Sequence, residues 1–501
     1  LSSWAGHLVF IISGFIMPRM IDTHAGQSGL GVWDFGWSLV SYFGFVQAGI
    51  CSSVNRYMAK YRAVNDVQSV RKIISSVIGV QMIMGLIVTM LCVITIRIMP
   101  QILSHQLGDH INQARWVVFW LGMSLAIQIL FSPFTGVITG CHRWDLHNAL
   151  NSGFHIGIVL AWIIALTMGG QLRSLAIINF VGVTITEFAR MILAYRICPE
   201  LKIRLEYINL TDARKILFFG GKSILTTLSR LLLYQTSSLL VVGYLGPAIL
   251  ATYSRPNSLI NHAMTIVNKF AFVLTPTASH MHARGQKNEL GQLLIETTQY
   301  GAYIAFPLIT FLVIMGSPLL VFWMGPKYNK GIVLVILALG HLLPMIQQPA
   351  WTILSGMNAH GRIGVANLIA AMVSMGLAIV ALGVLKWGLI GAALAIVLPL
   401  SVIYGFYIPI YTCHCLNLSL KKYILGSVYR PLIMVLPFAA CLGITRIIFH
   451  AAPFVALLTG AISGALVLGL LYWRYVIPDE IKNRILRSRS RITQQVTVTE
   501  S

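Results

Sequence analysis

Seven charged residues stand at least four residues inside the apolar stretches of this sequence, where their chemistry needs an explanation. Five of them are basic, namely Arg190, Lys222, Arg230, Arg255 and Lys269. The acids available in the same stretches are Asp34 and Glu187. A cation near the centre of a bilayer costs about 2.5 to 3.5 kcal/mol, so it normally faces a partner or a water-filled cavity. The interior therefore has an excess of cations, and an anionic guest would balance it.

Arg255 and Lys269 give the strongest local signal among the five cations. Their spacing of fourteen residues places them about 40° apart on one face of a helix with 3.6 residues per turn. Arg230 lies near the middle of its apolar segment, far from either membrane surface. We predict that these three residues bind the anionic guest and that Lys222 lies nearer its cytoplasmic entrance.

Plainer interpretations remain open for several of these side chains. Arg190 lies one turn from Glu187 near a helix end, so an intrahelical ion pair or a side chain reaching the membrane surface would explain it. Lys222 could reach the surface in the same way. Asp34 and Arg255 lie at similar depths, and we predict that they face each other or share a water-filled cleft. The pair could be a structural salt bridge, the lock of an outer gate, or both. Asp34 and Glu187 are also candidate sites for coupling to protons or Na⁺.

The amino-acid composition indicates that these residues lie in a membrane rather than in water. Of the 501 residues, 57% are apolar and only 10% are charged, and the mean hydropathy is +0.78. A water-soluble domain carries about 25% charged residues, whereas a membrane helix needs about 20 apolar residues. We predict an all-α polytopic membrane protein with about 14 transmembrane helices. The predicted spans are 3–18, 30–54, 73–96, 116–139, 149–169, 174–194, 216–245, 248–278, 298–323, 331–356, 364–385, 388–411, 432–449 and 452–475.

The net charge of +22 has a simple cause in this topology. If the connections from even-numbered to odd-numbered helices face the cytoplasm, they, the tail and the helix ends next to them hold 23 basic residues, against 8 on the other side. This asymmetry is the positive-inside pattern, and it predicts that both termini are cytoplasmic. Nucleic-acid binding is therefore not expected.

Two sets of residues indicate that the chain contains an internal repeat of one helical bundle. Pro133, Gly140 and Asn151 recur 216 residues later as Pro349, Gly356 and Asn367. Gly26 and Trp33 have the same spacing as Gly246 and Tyr253. Duplicated bundles are typical of transporters. Two pairs of glycines at four-residue spacing, Gly136 with Gly140 and Gly153 with Gly157, predict close helix packing.

Catalytic and metal-binding motifs do not fit. Gly221, Lys222 and Ser223 imitate the end of a phosphate-binding loop, but Ile216 replaces the glycine that such a loop requires. Cys413, His414 and Cys415 lack a second ligand pair at zinc spacing, which favours solvated loop residues. We expect no cofactor, no metal and no catalytic residue.

The chain resembles the bacterial oligosaccharide flippases of the polysaccharide transporter family, in the superfamily that also contains lipid II flippases and multidrug exporters. The residues that carry the resemblance are Gly29-Leu30-Gly31-Val32-Trp33, the run from Gly49 to Tyr61 with Asn55-Arg56-Tyr57, the run from Gly246 to Tyr253, Pro276, Ser279, Ser355-Gly356 and Asn367. The resemblance implies two pseudo-symmetric six-helix lobes around a central cleft. With the repeat, it predicts lobes at 1–215 and 216–431, two further helices at 432–475 and a basic cytoplasmic tail at 476–501.

The same resemblance implies the function. It is the movement of an undecaprenyl-diphosphate-linked oligosaccharide from the cytoplasmic to the periplasmic leaflet of the inner membrane, for O-antigen or exopolysaccharide assembly. The implied partners are this lipid-linked substrate, membrane lipids, a glycan polymerase and chain-length machinery, and the expected state is a monomer. A multidrug exporter, a membrane glycan polymerase or ligase, and a structural scaffold are the alternatives. Buried cations argue against the first, short outer loops against the second, and the shared face of Arg255 and Lys269 against the third.

Overall fold

The chain is helical over nearly all the residues that the computed structural model describes. These are residues 2–47, 54–55, 57–58, 61–62, 64–209, 211, 213–214, 224–272, 274–480 and 482. No strand occurs among them. Helices satisfy every backbone hydrogen bond within one segment, which is what a chain of this hydropathy needs inside a lipid bilayer.

Within the described residues, six α-helices precede residue 246. They are α1 (Ser2–Phe43), α2 (Val67–Leu107), α3 (Ile111–Gly140), α4 (Trp144–Thr167), α5 (Leu172–Ile197) and α6 (Ile224–Leu245). Eleven more follow in the described residues. They are α7 (Pro247–Phe272), α8 (Leu274–Ala283), α9 (Lys287–Met324), α10 (Gly331–Ile346), α11 (Gln348–Gly356), α12 (Gly361–Ile379), α13 (Gly388–Val402), α14 (Ile408–Cys415), α15 (Leu420–Ile424), α16 (Arg430–Ile448) and α17 (Pro453–Tyr475). Short π-helical turns continue α12, α13 and α15.

Ten segments of the described residues are long and apolar enough to cross a membrane. They are Gly6–Phe43, Val67–Gly140, Trp144–Thr167, Leu172–Ile197, Lys287–Met324, Gly331–Gly356, Gly361–Val384, Gly388–Cys415, Leu420–Ile448 and Pro453–Tyr475. The first of them contains a break at Gly26, and the second contains both α2 and α3. The helices α6 and α7, which carry three of the five cations, are not among the ten. The number fourteen therefore stays a prediction.

The outer faces of these helices are apolar. On α2, Met82, Leu86 and Met90 follow one another at four-residue spacing and are 56%, 64% and 65% exposed. Such a stripe would be insoluble in water, but in a bilayer its neighbours are lipid chains. Together with the ten apolar segments, this surface shows that the protein is a multi-pass membrane protein.

The described residues form two compact units. The first comprises Leu1–His262 and Asn358–Ile408, and its contacts include α2 against α3, α3 against α5, and α6 against α12. The second comprises Ala263–Met357 and Pro409–Ser501, where α9 packs on α10, α16 and α17. The predicted lobe boundary, at residues 215 and 216, lies outside the described residues.

Two glycines at matching points of the repeat make matching contacts. A Cβ atom on Gly140 would lie 2.7 Å from Met58 Cβ and 3.4 Å from the carbonyl oxygen of Asn55. A Cβ atom on Gly356 would lie 3.0 Å from Ala278 Cβ and 2.8 Å from the carbonyl oxygen of Thr275. Thr275 and Ala278 follow Asn55 and Met58 by the offset that also joins Gly26 to Gly246. The same helix contact is thus made twice, once in each unit.

The close packing predicted at the four paired glycines is confirmed for one pair. Cβ atoms on Gly136 and Gly140 would lie 2.5 Å from Val54 and 2.7 Å from Met58, respectively. For Gly153 and Gly157 the prediction is wrong, because a Cβ atom at either position would meet nothing within 4 Å. The latter pair lies on a face of α4 that no described helix covers closely, so the spacing alone does not report packing.

Candidate functional site

A glycine precedes each of the two helical segments that build the candidate site. Gly26 interrupts α1 with a φ of 74°, and Gly246 separates α6 from α7 with a φ of 85°. Both values lie in the left-handed region, where a residue without a Cβ atom is favoured. The segment 27–43 and the start of α7 therefore begin at equivalent points of the repeat.

These two segments touch closely at their first turns. Gln27 Nε2 donates hydrogen bonds to Thr252 Oγ1 at 2.7 Å and to the carbonyl oxygen of Ala248 at 3.1 Å. A Cβ atom on Gly31 would lie only 1.8 Å from the carbonyl oxygen of Pro247. No side chain fits there, so Gly31 allows the two backbones to meet.

One turn further along, an ion pair joins the same two segments. Arg255 Nη2 lies 2.5 Å from Asp34 Oδ2, and the two side chains are only 4% and 16% exposed. The prediction that Asp34 and Arg255 face each other is confirmed. Their roles in gating, coupling and substrate binding stay predictions. At this burial the charges depend on each other, because removing one would leave the other in a medium of low dielectric constant.

Two further hydrogen bonds hold the end of segment 27–43 against α6. The hydroxyl of Tyr42 contacts the hydroxyl of Thr236 and donates to the carbonyl oxygen of Leu231 at 3.3 Å. On the neighbouring turn of α6, Ser229 donates to the carbonyl oxygen of Gly364 at 3.4 Å. Segment 27–43 is therefore bound to α7 at one end and to α6 at the other.

A second buried ion pair lies between α4 and α5. Arg190 pairs with Glu187 on its own helix, as one of the two interpretations of Arg190 expected. Arg190 Nη2 also donates to Asn151 Oδ1 at 2.6 Å, and Asn151 Nδ2 contacts His147 Nε2 at 3.1 Å. The four residues form one polar network that joins the two helices, so a structural role for this pair is well supported.

Glu187→Ala is expected to destabilise the protein by about 3 to 5 kcal/mol, because it leaves the buried Arg190 cation without its carboxylate. Thermal unfolding of the purified protein in detergent measures the effect as a lower midpoint. The double variant Glu187→Ala with Arg190→Met removes both charges, and we expect it to recover at least half of the loss. Equal midpoints for wild type and Glu187→Ala would show that the pair contributes nothing to stability.

The other predicted ligands are placed differently. Arg230 is exposed on α6, and its charge acts on the nearby half-buried Tyr234. Lys269 is half-buried on α7, in the second unit. Lys222 lies outside the described residues. Binding of a guest by Arg255, Lys269, Arg230 and Lys222 stays a prediction.

Sequence reasoning missed several residues of the candidate site. Gln27 and Gly31 each contact α7, more than 200 residues away, and no local pattern indicates that distant contact. Asn151 is a landmark of the repeat, yet its spacing does not predict the hydrogen bond to Arg190. The recurrence of Asn151 as Asn367 is the signal that could have identified it as structurally important.

The described residues do not offer a metal site, since no group of three or more His, Cys, Asp or Glu side chains is placed to hold an ion. The interpretation of Cys413, His414 and Cys415 as solvated loop residues is wrong. They form the last turn of α14, and Cys413 is buried at 4% exposure. The apolar residues before them continue the helix to its final cysteine.

The sequence matches a family described as polysaccharide biosynthesis protein over residues 45–333, which is more than half of the chain. No curated protein sequence matches it.

The fold is similar to solved membrane-protein structures. It resembles the lipid II flippase MurJ in an inward closed conformation, with a TM-score of 0.70 at 13% identity over 94% of this chain and 100% of that one. It resembles an inward-facing multidrug resistance MATE family transporter of the MOP superfamily, with a TM-score of 0.69 at 13% identity over 81% of this chain and 94% of that one. A MOP superfamily transporter from Pyrococcus furiosus gives 0.61 at 14% identity over 83% and 94%.

Proposed function

Because the chain belongs to the polysaccharide biosynthesis protein family, we propose that it is a flippase for an undecaprenyl-diphosphate-linked oligosaccharide. It moves one repeat unit from the cytoplasmic to the periplasmic leaflet of a bacterial inner membrane by alternating access. The observation that carries this proposal is the buried pair of Arg255 and Asp34, which ties together the equivalent segments that follow Gly246 and Gly26.

The pair suits a gate that must open and close. Apart from the ion pair, segment 27–43 and the start of α7 are held together by a few hydrogen bonds and one glycine contact. All of these contacts are non-covalent and can break when the segments separate. Separating them would expose an arginine whose planar guanidinium can donate two parallel hydrogen bonds to phosphate oxygens. In this proposal Arg255 exchanges the carboxylate of Asp34 for the diphosphate of the guest. Coupling of the cycle to protons or Na⁺ would use Asp34 or Glu187.

The charge balance of the apolar stretches favours an anionic guest. At least four residues from their ends, they hold five basic residues and two acids, and both acids are paired with arginines. We assign the diphosphate to Arg255, Lys269 and Arg230, and the cytoplasmic entrance to Lys222. A multidrug exporter of cations shares the fold, but its guests would require buried acids instead.

The distribution of basic residues and the charge of the guest bear on the orientation of the protein in the membrane and on the driving force for translocation. The basic connections support a cytoplasmic position for both termini under the positive-inside rule. Movement of about two negative charges outward from a negative interior releases about 4 to 5 kcal/mol per 100 mV if the charges cross the full field. The proposed flippase acts as a monomer beside a glycan polymerase and chain-length machinery.

Cells that lack the protein test this proposal. We expect them to accumulate a single diphosphate-linked repeat unit on the cytoplasmic leaflet, detected by mass spectrometry together with a leaflet-accessibility probe. Wild-type protein restores the normal distribution. Accumulation of single units on the outer leaflet would contradict the flippase and support a polymerase, whereas an unchanged glycan distribution would contradict any role in this export.

A further inference from the structure

Two cysteines outside the candidate site occupy equivalent places at the ends of packed helices. Cys141 follows the last residue of α3, and its backbone N–H donates to the carbonyl oxygen of Val137 at 3.0 Å. Cys198 follows the last residue of α5, and its N–H donates to the carbonyl oxygen of Ala194 at 2.9 Å. Since α3 and α5 pack along each other, the two helix ends bring both cysteines to one apolar cluster, in which Cys198 is buried and against which Cys141 packs.

A cation lies directly on one of these thiols. Arg62 Nη1 donates to Cys141 Sγ at 2.7 Å. Cys141 lies at the C-terminal end of α3, where the negative end of the helix dipole disfavours a thiolate. The contact with Arg62 must therefore outweigh this unfavourable effect of the helix dipole. The neighbouring thiol of Cys198 and the charge of Arg62 together lower the pKa of Cys141 to about 7. The neighbouring thiol of Cys141 and burial raise the pKa of Cys198. The two thiols therefore differ, one suited to attack and the other to remain protonated.

The Cys141 thiol is also accessible. It borders a cavity of about 340 Å³ that is lined by Arg62, Asn65, Asp66, His142 and Glu200 among others. Cys141 is half-buried, whereas Cys198 is 1% exposed and packs into the apolar cluster behind the cavity. A small oxidant can thus reach the first sulfur but not the second.

We propose that Cys141 and Cys198 are a peroxide-reactive thiol pair that closes to a disulfide between the ends of α3 and α5. The Cys141 thiolate attacks hydrogen peroxide, forming a sulfenic acid and releasing hydroxide. The Cys198 thiol then attacks the sulfenic sulfur, the S–S bond forms and water leaves. The hydroxide takes up the proton that Cys141 lost on ionising, so the peroxide is reduced to two molecules of water while the two cysteines lose two electrons in total. Arg62 positions and stabilises the attacking thiolate.

Peptide mass spectrometry of the full-length purified protein after a short exposure to hydrogen peroxide tests this site. We expect a linked peptide that contains Cys141 and Cys198, and its absence after Cys141→Ser or Cys198→Ser. Arg62→Gln is expected to slow formation of the disulfide by about five- to tenfold near neutral pH, since an unassisted thiol has a pKa near 8.5. Arg62→Lys keeps the charge and should restore most of the rate.

Cys415, half-buried at the end of α14, serves as the internal comparison. Oxidation of Cys415 without any linkage of Cys141 to Cys198 would overturn the proposal. An unchanged rate of disulfide formation in the Arg62→Gln variant would also overturn it, because Arg62 would then not stabilise the Cys141 thiolate. The result does not depend on which molecule the protein transports.

Discussion

Arg255→Gln is expected to abolish transport, with at least a tenfold fall in the rate at which the repeat unit reaches the outer leaflet. The substitution keeps a polar side chain of similar reach but removes the cation that we assign to the diphosphate. It also leaves the Asp34 carboxylate without the cation that lies 2.5 Å from it in the wild-type protein. Breaking a buried pair from one side costs about 3 to 5 kcal/mol, so the midpoint of thermal unfolding should fall as well.

Asp34→Asn combined with Arg255→Gln separates the two roles of the pair. The double variant contains two neutral groups that can still hydrogen-bond, so we expect it to regain most of the lost stability. Transport should nevertheless stay low, because no guanidinium remains for the diphosphate. Recovery of both stability and transport would show that the pair is only a structural lock.

Gly31→Val is expected to separate segment 27–43 from α7. Even the Cβ atom of an alanine would lie 1.8 Å from the carbonyl oxygen of Pro247, and a backbone atom cannot rotate away as a side chain can. Overpacking of this kind costs about 1 to 3 kcal/mol or more, and here it also breaks the bonds of Gln27 and Asp34 to α7. We expect loss of transport and a lower unfolding midpoint.

A cross-link reports this contact directly. Gln27 Nε2 and Thr252 Oγ1 are 2.7 Å apart, so Gln27→Cys with Thr252→Cys should be joined by a short bifunctional thiol cross-linker. Adding Gly31→Val should reduce the yield of this cross-link about tenfold. Gly243→Ala is the matched control, since a Cβ atom on this helical glycine would meet nothing within 4 Å. Equal yields with and without Gly31→Val would contradict the close approach at Gly31.

The sequence predicts those parts of the protein that depend on hydropathy and on spacing within one segment. Long apolar runs predict the helices, and the distance of three residues between Glu187 and Arg190 predicts their pair. The pair of Asp34 and Arg255 was also predictable, because buried charge is costly and the repeat places both residues at similar depth. Each of these inferences rests on a large energetic cost that few arrangements can relieve.

The remainder depends on contacts between distant parts of the chain. Gly31 and Gly157 look alike in sequence, yet one lies against a carbonyl oxygen and the other faces open space. The difference is set by the partner helix, which is encoded more than 200 residues from Gly31. The role of Asn151 likewise becomes apparent only in the folded protein, where α5 brings Arg190 Nη2 to 2.6 Å from Asn151 Oδ1. Spacing identifies such residues as unusual, and packing assigns them a role.

Translocation by the purified protein in liposomes tests the central claim most directly. The vesicles would contain an undecaprenyl-diphosphate-linked oligosaccharide, and a membrane-impermeant glycosidase would report how much of it reaches the outer leaflet. The flippase account predicts protein-dependent translocation that Arg255→Lys partly retains and Arg255→Gln loses. Translocation no faster than in protein-free vesicles, or undiminished by Arg255→Gln, would contradict it.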